Sequence, residues 1–237
     1  MTAAILFTVL GTCAMAPYIY LRCKRKLLPG IFLKIATSMF FILTTCAAVL
    51  ANSGQFAAYQ YLFLGILAGQ VFGLLGDYWL DMKDMYTQHK EPYMFAGFIS
   101  FFICHVFYNA GLIRTYGAGW GLAEAGVIAA TGLGLMAIIL LTEKPMKLRY
   151  GKFKGIASAY SLIFGVSMAT SLLSWLGSRN PQALVMFIGL GFFLLSDLFL
   201  SGTFFGKGKE RPFDYTANYI CYFGGQFVIS LSLLWLI

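Results

Sequence analysis

The sequence predicts an all-α, polytopic membrane helix bundle with eight transmembrane helices. Three observations predict it. Hydrophobic residues make up 59% of the 237 residues, charged residues only 11%, and mean hydropathy is +0.77. A soluble domain carries about 25% charge, so this chain cannot cover a water-facing surface. Apolar runs of about 20 residues, the length that crosses ~30 Å of hydrocarbon, recur eight times. No long polar stretch divides them, so the chain reads as a single transmembrane domain over 1–237.

The runs fall at about 3–21, 31–50, 58–80, 92–113, 120–141, 155–176, 183–204 and 216–236. Span 1 has no basic segment before it, and the cluster Arg22, Lys24, Arg25 and Lys26 follows it, so it reads as a span and not as a cleavable signal. Span 2 carries Lys34 just inside its start. Span 3 carries Gly65, Gly69, Gly73 and then Asp77, each four apart. Four residues overshoot a full helical turn by about 40°, so the small stripe winds slowly. It lets a neighbouring helix approach closely, which places Asp77 toward protein and not lipid. Span 4 sets His105, Tyr108 and Asn109 on one face. Span 5 is followed by Lys144, Lys147, Arg149, Lys152 and Lys154, and span 6 by Arg179. Span 7 carries Asp197, and span 8 carries Asn218, Tyr222 and Gln226, again four apart.

Basic residues set the orientation. Fourteen lie in or beside the odd-to-even loops, including Lys83 and Lys90 after span 3 and Lys207, Lys209 and Arg211 after span 7; only Arg114 and Arg179 lie on the other side. The odd-to-even loops are therefore expected in the cytoplasm and both termini outside it. The net charge of +8 reflects this asymmetry and attraction to headgroups; no nucleic acid partner is expected. Cys13, Cys23, Cys46, Cys104 and Cys221 form no C-x-x-C and lie mostly within spans, so they read as small packing residues.

Two segments nearly repeat. FGLLGDYWL at Phe72–Leu80 and FFLLSDLFL at Phe192–Leu200 share F-x-L-L-x-D-x-x-L at an offset of 120. An aspartate at the centre of a membrane helix costs roughly 2.5–3.5 kcal/mol. A chain that bears this cost twice in one setting uses the pair, and an intramembrane ionisable residue is a functional candidate by default. Four crossings separate the two helices, so they run the same way. This suggests a weak parallel 4+4 repeat, with both carboxylates about 10 Å inside the cytoplasmic boundary. His105, counted from Pro92, lies deeper, roughly 20 Å in. Asp81 and Asp84, four and seven residues past Asp77, read as a solvated helix end. Polar faces on several helices suggest one shared polar cavity.

At these residues the sequence resembles the YhhN-like lysoplasmalogenase family of integral membrane hydrolases. The matching pieces are GLLGDYWL with Asp77, FISFFICHVFY with His105 and Tyr108, FFLLSDLFL with Asp197, and YFGGQ with Tyr222 and Gln226. In the last span Phe223 stands where the family often has a second tyrosine. The resemblance implies hydrolysis of the sn-1 vinyl ether of lysoplasmalogens bearing ethanolamine or choline. The products are a fatty aldehyde and a glycerophospho-alcohol, and the activity needs no cofactor or metal.

Vinyl ether hydrolysis is acid-catalysed. Protonation of the β-carbon gives an oxocarbenium ion, water adds, and the hemiacetal collapses to aldehyde and alcohol. One acid must donate to carbon, and one carboxylate must stabilise the cation and activate water, as paired carboxylates do in glycosidases. Asp77 and Asp197 are expected to form this dyad and to share one proton; either can be the acid. His105 is the third catalytic candidate, orienting a water or an aspartate or lining the pocket wall. Tyr108, Asn109, Tyr222 and Gln226 are candidate hydrogen-bond partners. Lys34 is a candidate for the lipid phosphate or for snorkelling toward headgroups.

The main alternative is an ion- or proton-coupled small-solute transporter using the same aspartates. A zinc-dependent amidase of the alkaline ceramidase type wants three histidines, and the chain has only His89 and His105. A serine hydrolase using Ser196 or Ser201 with His105 lacks a nucleophile elbow. Expected partners are the lysophospholipid substrate and membrane lipids. Short loops without sorting signals point to a bacterial plasma membrane.

Overall fold

The structure, a computed structural model, describes residues 1–206 and 211–236. Lys207 and Lys209 of the basic loop lie outside the described residues. Among the described residues there are eight long α-helices: α1 (Thr2–Cys23), α2 (Leu27–Ala51), α3 (Phe56–Met85), α4 (Lys90–Tyr116), α5 (Leu122–Thr142), α6 (Lys154–Ser178), α7 (Pro181–Phe205) and α8 (Pro212–Ser232). All eight are long and apolar enough to cross a membrane.

Several helices outrun their apolar runs. An apolar run marks only the hydrocarbon, while the helix continues for as long as its polar residues find partners. Thus α3 extends past Leu80 through Asp81, Lys83 and Asp84, which are ion-paired. The start of α8 is set by Pro212 at its first position and by Asp214 Oδ2, which accepts the Arg211 N–H at 3.2 Å. Asn180 caps α7 by accepting the Gln182 N–H at 3.0 Å, with Pro181 at the first helical position.

Successive helices pack as hairpins: α1 on α2, α3 on α4, α5 on α6 and α7 on α8. Beyond these pairs, α2 touches α3 and α8, and α6 touches α7 and α4. Hence α3 lies between α2 and α4, and α7 lies between α6 and α8. Glycines permit the closest approaches. A Cβ at Gly65 would lie 2.7 Å from Phe107 O and 2.8 Å from Gly111 Cα, so α3 and α4 meet backbone to backbone. Gly189 and Gly225 do the same for α7 and α8.

The bundle is apolar outside as well as inside. Leu50, Leu122 and Leu141 are more than 70% exposed, which suits lipid and not water. Helix α5 stands at the periphery and buries only Gly132, which leans on Gly165 of α6. Inside, amide and hydroxyl clamps join the helices. Gln70 accepts from Thr45 at 2.6 Å and donates to Ser230 at 2.7 Å; Gln182 accepts from Tyr116 at 2.9 Å and donates to Ser232 at 3.1 Å. All five cysteines are free thiols.

Candidate functional site

The glycine stripe turns Asp77 inward, and only 2% of it is exposed. Its Oδ2 accepts from Ser38 Oγ at 2.6 Å and from Tyr222 Oη at 2.8 Å. Its Oδ1 lies 3.4 Å from Lys34 Nζ. Lys34 also donates to Asp81 Oδ1 at 3.1 Å and to the Asp77 carbonyl at 3.2 Å, and sits 5.5 Å from the Tyr219 ring centre.

This placement differs from two readings of the sequence. Lys34 is 3% exposed and is enclosed by carboxylates, so it neither snorkels nor faces a headgroup. Asp81 is 5% exposed and is not a solvated helix end. Four residues past Asp77, it shares that residue's face, and one lysine from α2 bridges both. Asp84 is likewise engaged, by Arg22 and by Lys83 at 2.7 Å.

Asp197 is partly buried on α7, and its Oδ2 accepts from Tyr160 Oη at 2.6 Å. The two aspartates line one pocket with about 380 Å³ of empty space, together with Lys34, Asp81, Phe101, Phe193 and Tyr222. Each carboxylate there has its own hydroxyl donors. Asp197 also lines a small pocket with Leu80, Phe98 and Phe204 and an apolar groove of about 560 Å³. Leu135 and Ile139 of α5, Ala157 and Phe164 of α6, and Leu194 and Leu198 of α7 line that groove. Helix α5, which buries only Gly132, forms one wall of the groove.

Of the other expected residues, Asn218 and Tyr222 line the pocket of the two aspartates, and His105, Tyr108, Asn109 and Gln226 do not. Tyr108 Oη donates to Gln226 Oε1 at 2.9 Å, and Asn218 donates to Ser196 O at 2.8 Å. Gln226 Nε2 and both side-chain polar atoms of Asn109 are buried without a partner among the described residues. His105 is fully buried. Its Nδ1 lies 3.1 Å from Ser167 Oγ, and its ring centre lies 4.3 Å from Phe164 and 5.3 Å from Phe193. It lines none of the pockets that Asp197 lines. Ser196 Oγ accepts from Asn218 at 3.0 Å and His105 Nδ1 meets Ser167, so Ser196 and His105 do not pair.

Sequence reasoning missed Ser38 and Tyr160, which hold the two carboxylates. Ser38 is four residues beyond Lys34 on one face of α2. Tyr160 begins the face of α6 that continues through Phe164, Ser167, Ser171 and Ser174. Ser38 was visible as a small polar interruption of the face that carries Lys34.

A sequence model of the YhhN family matches residues 30–233. No curated protein and no solved structure matches the chain.

Proposed function

The chain belongs to the YhhN family, and from that membership and the pocket between its two intramembrane aspartates we propose that it is a lysoplasmalogenase. Its substrate is a lysoplasmalogen with an ethanolamine or choline headgroup, and the bond cleaved is the sn-1 vinyl ether. The observation that carries the reading is that Asp77 and Asp197 line one pocket and that Asp197 also lines an apolar groove. The groove suits the alkenyl chain, entering from the lipid beside α5.

The neighbours of the two aspartates differ, and this divides their roles. Asp77 accepts two hydroxyls and faces Lys34, the setting of an ionised carboxylate. Asp197 has a neutral tyrosine as its partner, and among the described residues no cation pairs with it. Tyr160 occupies Oδ2, which leaves Oδ1 to carry a proton toward the pocket. Asp197 gives that proton to the vinyl β-carbon, and Asp77 stabilises the oxocarbenium ion. Water adds to the cationic carbon while Asp77 takes one of its protons. In the collapse of the hemiacetal, that proton passes from Asp77 to the departing glycerol oxygen. The hemiacetal hydroxyl returns its proton to Asp197, and both groups end as they began.

Helix packing supports the parallel repeat. The contacts of α3 with α2 and α4 correspond to those of α7 with α6 and α8, and each aspartate takes a hydroxyl from the helix before its own. Basic residues at the end nearest the aspartates favour a cytoplasmic setting for that end, with both termini outside it; short loops favour a bacterial plasma membrane. Helices α3 and α7 run unbroken through Asp77 and Asp197, whereas transporter ion sites favour interrupted helices. Purified protein given alkenyl, alkyl and acyl lysolipids side by side tests the reading. Aldehyde from the alkenyl form alone is the expected result. Cleavage of the acyl form, or turnover of none with ion-dependent uptake into liposomes, overturns it.

A further inference from the structure

At the end of the bundle where α1, α3 and α7 finish, a second polar pocket opens with about 750 Å³ of empty space. Among the described residues its charged lining is Arg22, Arg25, Lys83, Lys90 and Asp84. Arg22 is 8% exposed and Lys83 4%, and both ion-pair with Asp84. Asp84 pairs with both, and Arg22 also lines the pocket of the aspartates, so Arg22, Lys34 and Lys83 stand beside the three carboxylates Asp77, Asp81 and Asp84. Cations that serve only membrane topology extend toward water and headgroups, whereas these two turn inward and line a cavity. A phosphodiester offers these four lining cations one negative charge and two free oxygens for charge-assisted hydrogen bonds.

The position of this pocket matches the length of a lipid. The Phe204 ring lines this pocket, the pocket of the aspartates and the apolar groove, and Lys83 Nζ lies 4.2 Å from its centre. Lys83 is six residues beyond Asp77 and Thr203 six beyond Asp197, a rise of about 9 Å along each helix. In a lysoplasmalogen, seven bonds separate the carbon that takes the proton from the phosphorus, roughly 8 Å when extended at ~1.2 Å per bond. The two spans agree.

We propose that Arg22, Arg25, Lys83 and Lys90 form a phosphate site that holds the phosphodiester of the lysolipid substrate, a proposal that rests on the function proposed above. The site fixes the direction of the lipid. Its phosphate lies at the basic end, the reactive carbon at Asp197 and the chain in the groove beside α5. Phe204 separates the first compartment from the other two.

The test is equilibrium binding in detergent, which needs no turnover and is insensitive to membrane orientation. The probes are 1-alkyl-glycerophosphoethanolamine, whose ether is not cleaved, and 1-alkylglycerol, which lacks the phosphate. The wild-type protein is expected to prefer the phospholipid by about tenfold or more, the value of a charged hydrogen bond. Arg25 and Lys90 are exposed, so the double variant Arg25→Gln, Lys90→Gln is expected to fold and to lose most of that preference. The charge-keeping pair Arg25→Lys, Lys90→Arg is expected to retain it. Inorganic phosphate, added alone as a competitor, distinguishes a lipid site from a free-phosphate site. Displacement only at concentrations far above that of the lipid supports the diester. Equal binding of the two lipids, a preference that the neutral variant keeps, or displacement by equimolar phosphate overturns the proposal. A phosphate preference in a protein that releases no aldehyde from alkenyl lipid would retain this site and remove the hydrolase reading.

Discussion

Tyr160 Oη lies 2.6 Å from Asp197 Oδ2 and is the hydrogen-bond partner that the described residues provide for that carboxylate. Replacing Asp197 with Asn keeps the shape, and Tyr160 can still donate to the amide oxygen, so the protein is expected to fold and insert. It lacks a group acidic enough to protonate carbon. Aldehyde release from alkenyl lysolipid is expected to fall by about 10²–10⁴-fold, the usual worth of a general acid. The Asp77→Asn variant is expected to fall comparably, through loss of cation stabilisation. Near-normal turnover in both would falsify the two-carboxylate mechanism.

Tyr160 lines the groove, but its hydroxyl is given to Asp197 Oδ2, so in this scheme it acts on the chemistry as a positioning residue. Tyr160→Phe removes one hydroxyl and leaves the ring that packs 6.0 Å from Phe98 and Phe164. A drop of about tenfold in kcat, near the value of a hydrogen bond to a charged group, is expected with KM unchanged. A rise in KM with kcat intact would place Tyr160 in the chain groove instead.

His105 separates the sequence reading from the geometry. Its ring packs among Phe164, Phe193, Tyr108 and Tyr160, and its Nδ1 meets Ser167. Phenylalanine keeps this ring packing and removes the polar atoms, including an Nε2 that is buried without a partner among the described residues. His105→Phe is therefore expected to leave kcat within a few-fold of wild type and thermal stability close to it. A loss of three orders of magnitude in kcat in a well-folded variant would make His105 a participant in the chemistry.

Much of this arrangement was legible in the sequence. The apolar runs located eight helices because hydrocarbon thickness fixes their length, and the small stripe before Asp77 turned that residue inward. The pairing of Lys34 was not legible, because sequence spacing gives depth along a helix but not which neighbour it faces. Its position near a helix start resembled that of any snorkelling lysine. Only the packing of α2 against α3 sets it between Asp77 and Asp81. Tyr160 was hidden for a related reason: one tyrosine among fourteen carries no signal until α6 is placed against α7.

Lys34 bridges two buried carboxylates, so removing it leaves two anions uncompensated. Breaking a buried pair in this way costs about 3–5 kcal/mol. Lys34→Met is expected to lower the unfolding temperature in detergent sharply and to reduce the yield of folded protein. Adding Asp81→Asn removes one of the stranded charges and is expected to recover part of the loss. If Lys34 instead served the lipid phosphate, Lys34→Met would raise KM in a protein of normal stability, and the second substitution would recover nothing.

The closest helix contact offers a test that bears on stability alone. At Gly65 a Cβ would meet Phe107 O at 2.7 Å and Gly111 Cα at 2.8 Å, both backbone atoms that cannot rotate away. Gly65→Ala must push α3 from α4, and overpacking of this kind costs about 1–3 kcal/mol. At Gly191 on α7 a Cβ meets nothing within 4 Å, so Gly191→Ala serves as the matched control and is expected to be neutral or slightly stabilising, since alanine is the better helix former. Asp77 lies twelve residues beyond Gly65, about 18 Å along the helix, so the lever between the contact and the site is long. Thermal unfolding in detergent is expected to separate the two variants by several degrees, with Gly65→Ala the lower. Turnover per folded molecule should fall in Gly65→Ala only as far as α3 tilts, and should stay at the wild-type level in Gly191→Ala. Equal unfolding temperatures would mean that α3 and α4 are not in backbone contact at Gly65, and the inward setting of Asp77 would then lose its structural cause.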